Sequence, residues 1–368
     1  MYNYIIAEVH FHNQKIQELI EMKKNHIIYF PKPHTADIEV GEIPIPGDDE
    51  LLIRTSRTLI STGTEMTAYC ADYEPGSVWE KNFSCPFYPG YNNVGTVIAC
   101  GKNTDSSWLG KRVATTKPHA AYVTVTPGGA DGQASGGNGC VIIPDGVSDD
   151  DAVFFTIPQI VMNGVRLSQI QWGECAVVYG LGLLGQFAVR FLLECGAFPV
   201  IGVDTAAYRL GLLPDTPAVV PCNALEENVL EVVKKHNSGR MADVVIELTG
   251  NADLLAQQTR LLRQHGKVVI LSSPKKPVLF DFHDDCCWPS ISIIGAHNFS
   301  HPDFPQPDYP WTKERHVEMF FDLVKLGKLD PSQLVSRKVH YTQAATAYEA
   351  LEHNRGNEMG VIIDWEEK

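Results

Sequence analysis

The stretch "VVYGLGLLGQFAVR", residues 177–190, decides the fold. An apolar run ends at Gly180, and Gly180, Gly182 and Gly185 stand in G-x-G-x-x-G spacing ahead of a helix-length apolar segment. In a chain with 30 glycines that spacing alone carries little weight, but its place between a strand and a helix carries much. The first glycine permits a tight turn, the second lets a pyrophosphate approach the backbone, and the third packs helix against strand. Leu183 and Leu184 then open the helix, whose free N–H groups and positive dipole end suit phosphate. The next strand, "PVIGVD", ends at Asp204, 19 residues after Gly185, where an acid accepts hydrogen bonds from an adenosine ribose. No base follows directly in "DTAAYR", and Asp204 would repel a 2′-phosphate, so NAD is expected over NADP. Arg209 is within reach of the same ribose or the adenine.

Working outward, "ECAVVYG" is continuously apolar, as a strand covered on both faces should be. Further on come "ADVVIELTG", a helical "NADLLAQQTRLLRQHG" over 251–266, and "KVVILSS". Strand alternating with helix predicts right-handed βαβ units and a parallel sheet. Thr249, Gly250 and Ser272, at the ends of the later strands, are expected to line the same crevice as Asp204. Upstream, residues 35–145 are rich in Gly, Pro and β-branched residues, with short apolar runs such as "LLIRTSRTLI", "VGTVIAC" and "AAYVTVT". That texture predicts a strand-dense, barrel-like domain. Before it stand a strand candidate at 4–11, a short helix candidate at 13–25 and a second strand, "HIIYFPKP". "PGGADGQASGGNG", residues 127–139, reads as a surface loop or a flap over a site. After residue 298 the pattern is irregular, followed by helices at 314–326 and 344–353 and a last strand, "GVIIDW".

Composition narrows the function classes. At 368 residues, 44% hydrophobic and 20% charged, the chain reads as a two-domain globular protein. A formal charge of -14 disfavours nucleic acid and anionic membrane surfaces, which need clustered Lys and Arg. No leader-like segment or membrane-length apolar run is evident, so a cytoplasmic location is expected. The nine cysteines include no Cys-x-x-Cys and are expected to be mostly buried free thiols; nothing near the adjacent Cys286 and Cys287 completes a metal site.

Taken together, "STGTE", "PGYNNVGTVIACG", "GKRVA", "HAAYV", "IPDGVS", "GLGLLGQ", "DVVIELTG", "GKVVILSS" and "AYEAL" resemble the medium-chain dehydrogenase/reductase superfamily, zinc alcohol dehydrogenase type. The resemblance runs from about residue 27 to the end. It implies an α/β fold class: a doubly wound Rossmann sheet plus a GroES-like β-barrel, with the active site in the cleft between them. Residues 1–165, with 299–368 returning, would form the catalytic domain and 166–298 the NAD-binding domain. It also implies a homodimer or homotetramer, since the edge strands of such sheets pair between subunits.

That family holds catalytic zinc through a Cys in a Cys-Gly-Thr-Asp turn, the His of Gly-His-Glu, and a later Cys or acid. Here Thr62 stands at the Cys position, with Thr64 and Glu65 completing the turn; Tyr91 and Asn92 replace His and Glu; Thr156 or Gln159 falls near the third. Zinc takes thiolate, imidazole or carboxylate, so no metal is expected. Glu65 and His119 are the remaining ligand types, and a structural Glu65 bonded to its own turn is as good a reading as a catalytic one. The substrate-facing candidates are Tyr91 as donor to a carbonyl oxygen, Thr64 as relay hydroxyl, Glu65 as base or as a prop for Tyr91, and Asn92 as orienter. Trp79, Trp288, Phe299 and Tyr309 are candidate pocket aromatics. The "ISTGTE" turn resembles a subgroup that includes bacteriochlorophyllide hydroxyethyl dehydrogenase. This favours an NAD-dependent exchange between a secondary alcohol and its ketone in a small-molecule substrate. Reduction of a quinone or enoyl double bond, and nucleotide binding without turnover, are the alternatives.

Overall fold

The computed structural model describes residues 23–128, 139–302 and 304–366. The expected strand at 4–11, most of the helix expected at 13–25 and most of the 127–139 loop lie outside them. Lys24 and Asn25, assigned to that helix from sequence, instead begin a strand, β1 (Lys24–Lys32), which pairs antiparallel with β2 (Thr35–Glu42).

Six parallel strands form the nucleotide-side sheet: β8 (Ala176–Tyr179), β9 (Val200–Asp204), β10 (Val219–Asn223), β11 (Ala242–Glu247), β12 (Leu262–Ile270) and β13 (Ser292–Gly295). Their order is β10-β9-β8-β11-β12-β13. All four residues of β8 are buried, because helices cover both faces of a parallel sheet. The order reverses between β8 and β11, and the crevice at the carboxyl ends of those strands is where such sheets bind ligands. The helix expected over 251–266 is much shorter. A 3₁₀ turn, Ala252–Leu254, leads into the helix Leu255–Thr259, and Leu262 already pairs with Ala242 of β11. His265 sits at φ +61, a left-handed conformation no helix interior admits.

The second sheet runs β14 (Arg337–His340), β15 (Val361–Asp364), β3 (Leu51–Leu59), β4 (Asn93–Cys100), β5 (Arg112–Thr115), β7 (Cys140–Ile142), with β6 (Tyr122–Val125) also on β3. β15 lies antiparallel on β3, so the last strand of the chain completes the sheet begun by the first third. Bulges in the β3–β4 pairing at Leu52/Ile53 and Thr55/Arg57 bend the strands toward a barrel.

Between the sheets lies a helix that the sequence analysis did not assign, Thr156–Ser168. Ile157, Val161, Met162 and Val165 are buried in the core cluster shared with Phe187 and Phe191 of the helix Leu183–Glu194 and Phe320 of the helix Lys313–Lys325. Its amino end brings the Thr156 hydroxyl to the side chain of Asn92.

All nine cysteines are free, but only Cys140, Cys175 and Cys222 are buried; Cys195 and Cys287 are exposed. The expectation of mostly buried thiols is therefore corrected: many sit at helix ends and turns, where burial is partial. Trp288 is corrected as well. It is 78% exposed and precedes β13, at the amino end of the parallel strands, whereas the crevice lies at their carboxyl ends.

Candidate active site

The glycine turn has the geometry its spacing predicts. Gly180 adopts φ +89, and a Cβ there would lie 2.9 Å from the Leu248 carbonyl carbon and the Thr249 nitrogen. A Cβ on Gly185 would fall 1.9 Å from the Gly180 oxygen, so the helix can sit this close to the strand only without a side chain. Gly182 is different. It caps the helix Leu183–Glu194 without a side-chain hydrogen bond, and a Cβ on it meets no heavy atom within 4 Å. Open space over a helix amino end with unsatisfied N–H groups is a cradle for phosphate, so these residues fit a dinucleotide.

Asp204 is more occupied than the sequence suggests. Its carboxylate accepts the N–H of Leu181 at 2.7 Å and those of Thr205 and Ala206 at 2.7 and 2.9 Å, with Arg209 Nη1 at 3.6 Å. It therefore braces the glycine turn as well as standing at the ribose position. The hydroxyls of Thr249 and Ser272 both donate to the buried Glu247 carboxylate, which also accepts the Thr249 N–H at 2.7 Å. Both hydroxyls are thus committed to the protein. Glu247, missed in the sequence, ties the loops after β11 and β12 together at the crevice; its visible signal was an acid ending an otherwise apolar strand.

On the barrel side, Gly90 lets the turn pass His119, since a Cβ there would lie 2.6 Å from the His119 nitrogen. Tyr91 follows, packed against the main core, and donates its O–H to Ser61 Oγ at 2.5 Å. Burial pushes its phenol up to about 12, helped by the Glu65 carboxylate and opposed by the Ser61 and Thr64 hydroxyls. Tyr91, Ser61 and Thr64 thus form one hydroxyl group cluster. Asn92 is fully buried, and its Oδ1 accepts the Thr156 hydroxyl while its Nδ2 has no partner. A buried amide donor without an acceptor is costly unless something fills the place.

Glu65 lies beside this cluster with its carboxylate already taken up by other partners. It is 1% exposed, and its carboxyl group accepts the Ser61 N–H at 2.9 Å and the Tyr348 O–H at 2.5 Å and meets His119 Nε2 at 3.0 Å. The histidine that looked distant in sequence is its direct partner, and the arrangement props the turn rather than facing a substrate. Glu65→Ala should cost about 3–5 kcal/mol of stability, because it strands three buried polar partners. Urea unfolding reads this directly, and a loss below about 1 kcal/mol would refute the bracing role.

The donor set at the expected zinc positions does not fit zinc. Thr62, Tyr91 and Thr156 offer hydroxyls and Gln159 an amide, and the Gln159 Nε2 is directed at Asn298 Oδ1, 3.4 Å away. Glu65 and His119 gain no third ligand: among the described residues the one group of three or more clustered ligand types lies elsewhere. Arg355 is the other residue the sequence missed. Its Nη2 donates to the Thr62 carbonyl at 2.8 Å, and its own carbonyl accepts from Arg209 at 2.5 Å. It links the ribose side of the crevice to the barrel turn across 293 positions of sequence, which no local signal reveals. Of the candidate aromatics, Tyr309 donates to Asn163 Oδ1 at 2.5 Å, Trp79 packs on Phe83, and Phe299 is 58% exposed.

A parallel sheet with this order, a glycine turn at its switch point that fits phosphate, and a second, barrel-like sheet give the architecture of a two-part dinucleotide-binding fold. Comparison with known proteins agrees. Residues 184–314 match the family described as zinc-binding dehydrogenase. D-guloside 3-dehydrogenase of Escherichia coli (strain K12) is 28% identical over 257 residues, covering 69% of this chain and 71% of that protein. Among solved structures, the chain is similar to a short chain alcohol dehydrogenase (rspB) from E. coli CFT073 complexed with NADH. The TM-score is 0.74 at 17% identity, over 93% of this chain and 99% of that one. It is also similar to a Sinorhizobium meliloti 1021 dehydrogenase bound to NADP, with TM-score 0.73 at 20% identity, over 93% and 100%. These likenesses support the medium-chain dehydrogenase/reductase superfamily, and the solved structures share the fold, a Rossmann sheet plus a GroES-like part. At the coarsest level it is an oxidoreductase of the alcohol and polyol dehydrogenase type. Among the described residues, no helix is long and apolar enough to cross a membrane.

Proposed function

We propose that the protein is a zinc-independent, NAD(H)-dependent dehydrogenase that interconverts a secondary alcohol and its ketone. The observation that carries this reading is the hydroxyl and amide cluster at the cleft: Tyr91 O–H on Ser61, and the buried, unpartnered Asn92 Nδ2. Bound NAD(H), held by the 180–185 turn, Asp204 and Arg209, supplies or takes up the hydride. The substrate oxygen sits between Tyr91 and Asn92, where the amide orients it and the phenol donates. Burial keeps the phenol protonated across the working range, so its O–H is available to the nascent alkoxide. Ser61 and Thr64 carry the replacement proton. A relative that bears the name 3-dehydrogenase, D-guloside 3-dehydrogenase, supports a secondary hydroxyl as the reacting group.

Chelator dialysis followed by NADH oxidation with a panel of ketones, enones and quinones tests this. Ketone turnover should survive the chelator; its abolition and rescue by zinc would overturn metal independence, and turnover of enones alone would overturn the substrate class.

NAD over NADP rests on the Asp204 charge. Asp204→Asn removes the repulsion but keeps an acceptor for only one side of the turn, the Leu181 N–H or the Thr205 and Ala206 N–H groups. The test therefore reads the ratio of affinities: the NADH/NADPH preference should fall at least tenfold, about 1.4 kcal/mol. An unchanged ratio of dissociation constants would end that argument.

The catalytic domain is assigned to 1–165 with 299–368 and the NAD domain to 166–298, in a cytoplasmic homodimer or homotetramer acting on a small molecule. The free edge of β13 and the exposed Leu279 and Phe282 support self-association; a monomer by light scattering would count against it.

A further inference from the structure

Among the described residues, the one group of three clustered His, Cys and carboxylate ligand types lies at the other end of the helix Thr64–Cys70, about 9 Å from Thr64 along its axis. We propose that His34, Cys70 and Glu352 form a peripheral binding site for a borderline-soft divalent cation, Zn²⁺ by preference. Their ligand atoms lie within 4.8 Å of one another, and His34 Nδ1 is 2.7 Å from Glu352 Oε1. Bonds of 2.0–2.3 Å in a tetrahedral zinc site put ligand atoms about 3.3–3.8 Å apart. The ring and carboxylate therefore need to part by less than about 1 Å to admit the ion in place of the shared proton.

Each ligand is held by a separate element. His34 occupies the β1–β2 turn at φ +58, with its N–H on the Tyr69 carbonyl at 2.7 Å. Cys70 ends the helix Thr64–Cys70, and Glu352 lies in the last turn of the helix Ala344–His353. All three close over an aromatic cluster in which Tyr69 stacks on Tyr348 and both meet Phe30 edge-on. A neutral imidazole, a thiolate and a carboxylate together carry two negative charges, matching a divalent ion. The nearby cations are engaged elsewhere, Lys275 with Asp72 at 2.6 Å and Arg355 with the Thr62 carbonyl. His34 is 55% exposed, which leaves a fourth position to water. The ion would staple the hairpin turn to two helices, away from the substrate cleft and independent of the reaction proposed above.

The test uses the full chain, stripped with chelator, kept reduced with a non-chelating phosphine and titrated with Co²⁺ alone. One equivalent should produce a thiolate-to-cobalt charge-transfer band with four-coordinate visible bands, and Zn²⁺ should bleach both. Cys70→Ser should abolish the band, His34→Ala and Glu352→Gln should each weaken Co²⁺ at least tenfold, and Cys287→Ser should change nothing. No charge-transfer band at one equivalent, or one that persists in Cys70→Ser, overturns the site. Should Cys70→Ser unfold, the two partly exposed variants decide: wild-type Co²⁺ affinity in both overturns it.

Discussion

Replacing Tyr91 by Phe is expected to lower kcat for ketone reduction by about 10²–10⁴-fold, the range of a positioned general acid. NADH affinity should not move, because Tyr91 lies on the barrel side and the proposed cofactor site is the glycine turn. The ring keeps its packing against the core, so the variant isolates one O–H, the one now donated to Ser61. The pH profile gives a second reading. An ordinary tyrosine loses its proton near pH 10. Burial disfavours the phenolate here and moves that loss up to about 12, so the donor form persists across the working range. Ketone reduction should therefore show no decline between pH 8 and 10 on account of Tyr91. A Phe variant within about threefold of wild type would remove Tyr91 from the chemistry and with it the central residue of the proposed mechanism.

The second large effect is at the glycine turn. Gly182→Val should weaken NADH by 100-fold or more, about 2.7 kcal/mol, while leaving the fold nearly intact. Its Cβ would project into space empty to 4 Å, where the phosphates belong, and its φ of -65 suits any residue. The helix loses only the small preference of glycine over valine as a cap, under about 1 kcal/mol. Gly185→Ala would be a poorer experiment, because a Cβ 1.9 Å from the Gly180 oxygen deforms the turn itself. Unchanged NADH binding by Gly182→Val, with an unchanged melting transition, would mean that the crevice does not hold the dinucleotide as proposed.

Local patterns carried much of the architecture. The apolar runs at 176–179 and 200–204, the glycine spacing, and the helices at 313–325 and 344–353 were legible because burial and turn geometry act on neighbouring residues. The helix 251–266 failed for the same reason in reverse: its apolar spacing suits a helix, but long-range pairing of Leu262 with Ala242 pulled the chain into a strand. The cleft was less legible. Tyr91, Asn92, Thr64 and Glu65 could be singled out as substitutions in a resembling pattern, but nothing local distinguished the one that faces inward.

What the sequence determined by itself was the glycine turn and the alternation of strand and helix. These follow from residue type and spacing of a few positions. What only the tertiary structure decided was how distant groups meet. It set Glu65 against His119 and Tyr348, 54 and 283 residues away, and Arg355 against Thr62, and it joined His34, Cys70 and Glu352 at one point. Such meetings depend on sheet order and on the return of the last strand to the first barrel sheet, which bring side chains into hydrogen-bond range without any periodic trace in the chain.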